Sequence, residues 1–143
     1  MADVRIVELR TLAEREQAFA IRRAVFVQEQ GVAEVLEFDE RDAQARHLLA
    51  LRDGEPVGTL RVRWLDRGRT AKIERVAVLP AARGAKVGQA LVEAALAAAK
   101  AEGAEVALLH AQTIVQGFYV RLGFVAFGPE FIEDDILHVA MRL

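Results

Sequence analysis

The chain has 143 residues, 53% hydrophobic and 28% charged, with a formal net charge of −2, which describes one globular domain with room for a real core and excludes a disordered chain. It contains no Cys, Ser or Asn, which removes disulfides, thiolate catalysis, Ser-His-Asp chemistry, Cys-based zinc sites and Asn-linked glycosylation. The three histidines, His47, His110 and His138, have no ligand spacing, the weakly acidic balance argues against general nucleic-acid binding, and no apolar run approaches a membrane span.

The opening MADVRIVELR carries acidic residues and no apolar core, so it is not read as a signal peptide, and a cytoplasmic location is expected. Val4 to Leu9 alternates and predicts a first strand. Thr11 with Glu14 is a capping-box signature, so a helix is expected from about Leu12 to about Val27, with Ala13, Ala20, Ala24 and Val27 on its core face. Residues 29–45 then concentrate six carboxylates (Glu29, Glu34, Glu37, Asp39, Glu40, Asp42) around one arginine. Two readings are open, a solvated loop with a short helix or an acidic rim that attracts a cationic substrate; the solvated loop is favoured.

Arg46 to Leu51 predicts a short strand, Asp53-Gly54 a hairpin turn, and Val57 to Leu65 the next strand. In that strand Leu60, Val62 and Trp64 fall on one side and Thr59, Arg61 and Arg63 on the other, which is expected to be solvated. Asp66 to Arg69 turns into the strand beginning at Thr70. There Ile73 and Ala77 are read on one side and Val76 and Val78 on the other, and Pro80 ends it. From Val87 the spacing becomes helical, with Leu91, Ala94, Ala95 and Ala98 on one face, polar residues such as Gln89 and Glu93 on another, and Gly103 as the stop.

The start of that helix is the informative point. Pro80 to Gly88 offers no side-chain acceptor for the orphan N–H groups of a first turn. It places Arg83 and Lys86 where the helix dipole is already positive, and it spends a glycine, Gly88, inside the first turn. A plain glycine-containing turn is one reading; an anion held on backbone N–H groups is the other, and it accounts for all three features.

After Gly103, Glu105 to His110 predicts an apolar, central strand, Gln112 to Leu122 a short helix closed by Gly123, and Phe124–Phe127 and Ile136–Leu143 the last strands. The order β, α, three β, α, β, α, β, β predicts an α/β fold with a mixed sheet, antiparallel at its start, in which the long helix joins two parallel strands.

Val76-Ala77-Val78, Arg83 to Gly88, Gly117-Phe118-Tyr119 and Leu122-Gly123-Phe124 together resemble the GCN5-related N-acetyltransferases, over nearly the whole chain. Val25-Phe26-Val27, Glu29-Gln30, the acidic stretch, Arg46-His47 and Ile136-Leu137-His138 further resemble the small bacterial subgroup typified by ElaA and YjcF. The resemblance implies a single N-acetyltransferase domain over 1–143 that moves an acetyl group from acetyl-CoA, as co-substrate and without a metal, to a small-molecule or peptide amine. Homodimers are common in that family; neither nucleic acid nor membrane is an implied partner.

It also implies residue roles. The turn formed by Arg83, Gly84, Ala85, Lys86, Val87 and Gly88, with Gln89, would hold the CoA pyrophosphate, and the strand at Val76, Ala77 and Val78 the pantetheine arm. Lys86 stands where the family has its first motif glycine, either crowding the phosphate or adding a contact. Tyr119 would protonate the departing thiolate, and Gln112 would bond the pantetheine or the acceptor. For the base three residues stay open: Glu74, His47 and Glu37, the last two also as acceptor-binding residues. A non-catalytic acetyl-CoA-binding module is the alternative. A P-loop hydrolase is a poor third reading, because GxxxxGK[ST] is absent and no Ser or Thr follows Lys86.

Overall fold

Seven strands carry the fold: β1 (Val4–Glu8), β2 (Arg46–Arg52), β3 (Glu55–Leu65), β4 (Thr70–Val78), β5 (Val106–Gln112), β6 (Val125–Glu133) and β7 (Ile136–Arg142). In a computed structural model that describes residues 3–84 and 86–143, they form one sheet in the order β1-β2-β3-β4-β5-β7-β6. Every pairing is antiparallel except β4 with β5. The helices are α1 (Leu12–Arg22), which continues as a π-helical stretch over Arg23–Glu29, α2 (Glu34–Glu37), α3 (Val87–Ala101) and α4 (Gln116–Arg121). The parallel pair is joined by α3, as the crossover rule requires.

The local signals act as read. Thr11 accepts from the Glu14 N–H at 3.1 Å and Glu14 returns a bond to the Thr11 N–H at 3.0 Å, completing the capping box of α1. Asp53 (φ 52°) and Gly54 (φ 83°) make the β2–β3 hairpin turn. Gly103 (φ 86°) ends α3.

Two cores flank the sheet. Leu60, Val62, Leu91, Val92, Ala95, Phe124 and Met141 fill the side covered by α3, and Ala18, Ile21, Val25, Leu49 and Ala77 fill the side covered by α1. The face of α1 that packs is therefore Ala18, Ile21, Arg22 and Val25, while Ala13 and Ala20 are exposed. The alanine pattern misidentified that face because its anchor is an arginine.

That arginine belongs to a buried ion network, which divides residues 29–45: the expected short helix is present as α2 and Glu29, Glu34 and Glu40 are exposed, while Glu37, Asp39 and Asp42 are drawn into ion pairs. Arg22 and Arg61 are each 1% exposed, Glu37 2% and Asp42 4%. Arg22 donates to Glu37 (2.9 Å) and Asp42 (2.7 Å), and lies between the rings of Phe19 and Phe38, 4.9 Å from each centroid. Arg61 donates to Asp39 (2.7 Å), Asp42 (2.8 Å) and Glu74 (3.1 Å). The central carboxylates are thus neither a solvated face nor a free acidic rim. They turn inward and fasten the segment from α2 to Gln44 onto β3. The side of β3 bearing Thr59 and Arg61 is consequently buried rather than solvated.

The phase of β4 also differs from simple alternation. Thr59 of β3 pairs with Ala77, but Arg61 pairs with Glu74, so β4 has one extra residue there, and Arg75 takes φ 58°. This bulge inverts the faces. Ile73 packs on the α3 side, and after the bulge Val76 and Val78 do so, while Ala77 faces α1. Ile73 and Ala77 therefore lie on opposite faces.

Removing one member of the buried network should cost far more than removing an exposed pair. Arg22→Met is expected to lower the unfolding free energy by about 3 kcal/mol, because two buried carboxylates each lose one of two guanidinium partners. Arg46→Ala, at the partly exposed contact with Glu8 and Glu102, should cost less than about 1 kcal/mol. Urea unfolding followed by Trp64 fluorescence measures both.

Candidate active site

Pairing of β4 with β5 stops at Ile73–Leu109. Beyond it, among the described residues, the edge of β4 from Glu74 to Val78 that faces β5 has no strand partner, and a cleft of about 360 Å³ opens between the two strands. Its walls include Glu74 to Val78, His110 to Gln112, the end of the π-helical stretch, Tyr119 and the β6–β7 turn. The bulge at Arg75 sets where the strands part. The β5-facing edge of Val76-Ala77-Val78 can pair with an extended amide-bearing chain, with the Val78 carbonyl already accepting from Arg83.

At the upper end of β4 lies the start of α3. Lys86 is its N-cap, in the left-handed conformation (φ 62°, ψ 22°), and no side chain caps the first turn. Gly84 (φ 85°) has open space where a Cβ would stand, so the turn is unobstructed. A Cβ on Gly88 would come within 3.3 Å of Phe118, so this glycine serves the packing of α3 on α4. Val87 is buried in the core. Ala85 lies outside the described residues. Gln89 bonds Glu93 along α3 at 2.8 Å and does not line the cleft.

Arg83 lines the cleft, but its guanidinium is held by Glu29 in two bonds of 2.8 and 2.7 Å and by the Val78 carbonyl at 3.0 Å. Gln112 ends β5 instead of starting a helix, and its amide donates to Gln30 at 2.9 Å. Two side-chain bridges thus tie the end of the π-helical stretch across the cleft. Glu29 and Gln30 carry no chemical motif of their own, and only the register of the fold brings them to Arg83 and Gln112.

Tyr119 lines the cleft from α4 and is 7% exposed, and burial pushes its phenol well above the ordinary value. It is protonated at neutral pH, as a proton donor must be. Of the three residues read as a base, Glu74 and Glu37 line the cleft and His47 does not. Burial alone would raise Glu74, but the Arg63 hydrogen bond and the charges of Arg61 and Lys72 outweigh it and bring it to about 2. Such a carboxylate is a fixed anion and a poor proton acceptor at neutral pH. Burial raises Glu37 despite Arg75 and Arg22, yet both guanidiniums already bond it. His47 donates or accepts at Nε2 toward the Asp42 carbonyl, which only accepts, so it donates at 2.9 Å, and burial lowers its affinity for a second proton. It braces the 39–45 segment and stands outside the cleft lining.

Three cleft residues had no signal as a group: His110, Glu133 and His138. They lie on β5, β6 and β7, and only the antiparallel pairing of β7 with both neighbours assembles them.

The sequence matches the model of the acetyltransferase (GNAT) family over residues 9–124. The uncharacterised N-acetyltransferase YjcF of Bacillus subtilis (strain 168) is 35% identical over 127 residues, 88% of this chain and 89% of that protein. An acyl-CoA N-acyltransferase from Pseudomonas aeruginosa superposes with a TM-score of 0.83 at 35% identity, covering 99% of each chain. Escherichia coli ElaA superposes with a TM-score of 0.84 at 28% identity, again over 99% of each.

The carboxylates of the network set an acid limit on stability. Glu74 is depressed from 4.5 to about 2, so its contribution is complete above 4.5 and is lost as pH falls toward 2. Asp39 and Asp42, both held below 3.8 by their arginine partners against the effect of burial, act in the same direction. Glu37, raised, opposes them in part. The thermal midpoint by circular dichroism should fall steeply between about pH 4.5 and about pH 2, and Glu74→Gln should flatten that fall while lowering the midpoint at neutral pH.

Proposed function

The chain belongs to the GNAT acetyltransferase family, and from that premise we propose that it transfers an acetyl group from acetyl-CoA directly to an amine in a ternary complex. The observation that carries this reading is the open edge of β4 running from the bulge at Arg75 to an uncapped helix start. A pantetheine arm presents two amides in an extended chain, and Val76, Ala77 and Val78 offer the main chain to receive them. The first-turn N–H groups of α3 and the turn before it, Gly84 to Gly88, would take the pyrophosphate, with Lys86 as a charged contact. Gln112 and Arg83 stand on the walls of the same cleft. The chain offers no Cys or Ser to carry an acyl group, which favours direct transfer over a covalent enzyme intermediate.

Tyr119 is the proton donor to the departing sulfur in this reading, and its presence in the cleft favours an enzyme over a module that only binds acetyl-CoA. The rate gain comes chiefly from holding amine and thioester together in one cleft, with strand N–H groups stabilising the charge that develops on the carbonyl oxygen.

Calorimetric titration with acetyl-CoA should give a dissociation constant in the micromolar range, about −8 kcal/mol, and no binding at millimolar ligand would overturn the reading. Tyr119→Phe should lower kcat about 100-fold with acetyl-CoA affinity unchanged within about twofold, whereas Lys86→Ala should weaken that affinity up to about tenfold. Equal turnover by Tyr119→Phe and the unaltered protein would remove Tyr119 from the mechanism.

A further inference from the structure

Three side chains from three strands meet at the lower end of the cleft. His110 Nδ1 donates to Glu133 Oε1 at 3.3 Å. His138 Nδ1 lies 2.7 Å from the carbonyl oxygen of Ile136. A carbonyl oxygen only accepts, so His138 Nδ1 carries the proton, and in the neutral ring Nε2 keeps its lone pair. Nε2 lies 3.9 Å from Glu133 Oε2, and with the ring neutral both atoms are acceptors. The two are separated by a gap too wide for a direct bond. Phe131 holds both rings in place, stacked on His138 at 5.9 Å and edge-on to His110 at 5.0 Å.

An acceptor–acceptor gap of this width is completed by a donor about 2.9 Å from each atom, and a cationic donor suits the carboxylate best. We propose that Glu133 and His138 seat the ammonium group of a primary alkylamine, with His138 Nε2 as the proton acceptor and His110 as the residue that positions Glu133. The inference rests on the acetyl-transfer reading and names the acceptor class and the base for it. Neither Glu74 nor Glu37 competes for the role, because arginines already occupy both.

The proton balance closes. The ammonium gives one proton to His138 Nε2, from which it passes by Glu133 to solvent. The amine nitrogen then forms a C–N bond at the acetyl carbonyl carbon, the C–S bond breaks, and the sulfur takes the hydroxyl proton of Tyr119. The second nitrogen proton replaces the one Tyr119 gave. The products are one amide, one thiol and one released proton. Among the described residues, the other charged groups lining this side of the cleft are Lys72 and Glu74 of β4, paired at 3.2 Å, Arg75, held by Glu37 and Asp39, and Asp134.

The test reads the rings directly. In histidine-labelled protein with CoA present, long-range ¹H–¹⁵N spectra should show His138 as the Nδ1–H tautomer. Its signals should move on titration with methylammonium and not with tetramethylammonium, which has no N–H to give. Glu133→Gln should abolish the shift while leaving acetyl-CoA affinity intact. In turnover with putrescine or another primary amine, His138→Gln should lower kcat/KM about 100-fold and erase the loss of rate on the acid side of the pH profile. Glu133→Gln should raise KM more than it lowers kcat, and His110→Asn, which keeps a donor, should retain more activity than His110→Ala. An Nε2–H tautomer, an equal response to tetramethylammonium, or unchanged kinetics in His138→Gln would overturn the inference. Absence of acetyl-CoA binding by the unaltered protein would instead overturn the transfer reading itself.

Discussion

The buried contact of Arg22 and Arg61 with Glu37, Asp39, Asp42 and Glu74 is the constraint on which the site depends. Little apolar surface is available to fasten residues 33–45: Val35 and Leu36 are exposed, Phe38 alone packs on Phe19, and the segment has only one short helix and one 3-10 turn. Ion pairs do the fastening instead. A buried pair is weak evidence for net stability, since desolvation offsets much of the attraction, but it is strict about geometry. Each carboxylate must meet its guanidinium in place, so the segment has one seat on β3 and β4. That seat forms a wall of the cleft.

The network also bears on the bulge. Arg75 is a non-glycine residue at φ 58°, a conformation that disfavours a side chain by about 1–2 kcal/mol. Its guanidinium reaches the carbonyls of Leu36 and Glu37 and the carboxylates of Glu37 and Asp39. The same segment that Arg22 and Arg61 seat therefore supplies the partners that hold Arg75 in a strained backbone position. Strain of this kind persists where surrounding structure over-determines it. Here it marks where the β4 edge parts from β5.

This explains what was and was not legible in the sequence. Signals carried by adjacent residues were: the Thr11–Glu14 cap, the Asp53-Gly54 turn, the Gly103 stop and the bare start of α3 each act within a few residues of themselves. Elements and their order followed, and so did the parallel pair around α3. The core face of α1 did not, because Arg22 is buried and an arginine is normally read as exposed. The faces of β4 after Glu74 did not, because a non-glycine bulge leaves no mark in composition. The inward half of the acidic stretch was misread for the same reason as Arg22: a carboxylate declares its charge in the sequence but not its partner, and the partners of Glu37, Asp39 and Asp42 lie 15 to 38 positions away. His110, Glu133 and His138 are a still purer case, being assembled only by strand pairing.

The cleft that results has two chemically opposite ends. At the helix end, backbone donors and Lys86 gather where no side-chain acceptor stands, a setting for an anion. At the strand end, Glu133 and the bare Nε2 of His138 present acceptors and Asp134 lies on the same lining, a setting for a cation. Between them the β4 edge is neutral main chain. Most of the remaining charge is already consumed internally: Glu74 by Arg61, Arg63 and Lys72, Glu37 by Arg22 and Arg75, and Arg83 by Glu29. Neutralising the walls while leaving the two ends uncompensated gives the cleft a direction. The proposed transfer from a polyanionic acyl donor to an amine would use that direction, each substrate entering from its own side, with Tyr119 buried and protonated on the cleft wall. The ion network is what makes the polarity possible, because without it the same arginines and carboxylates would face the cleft and blur both ends.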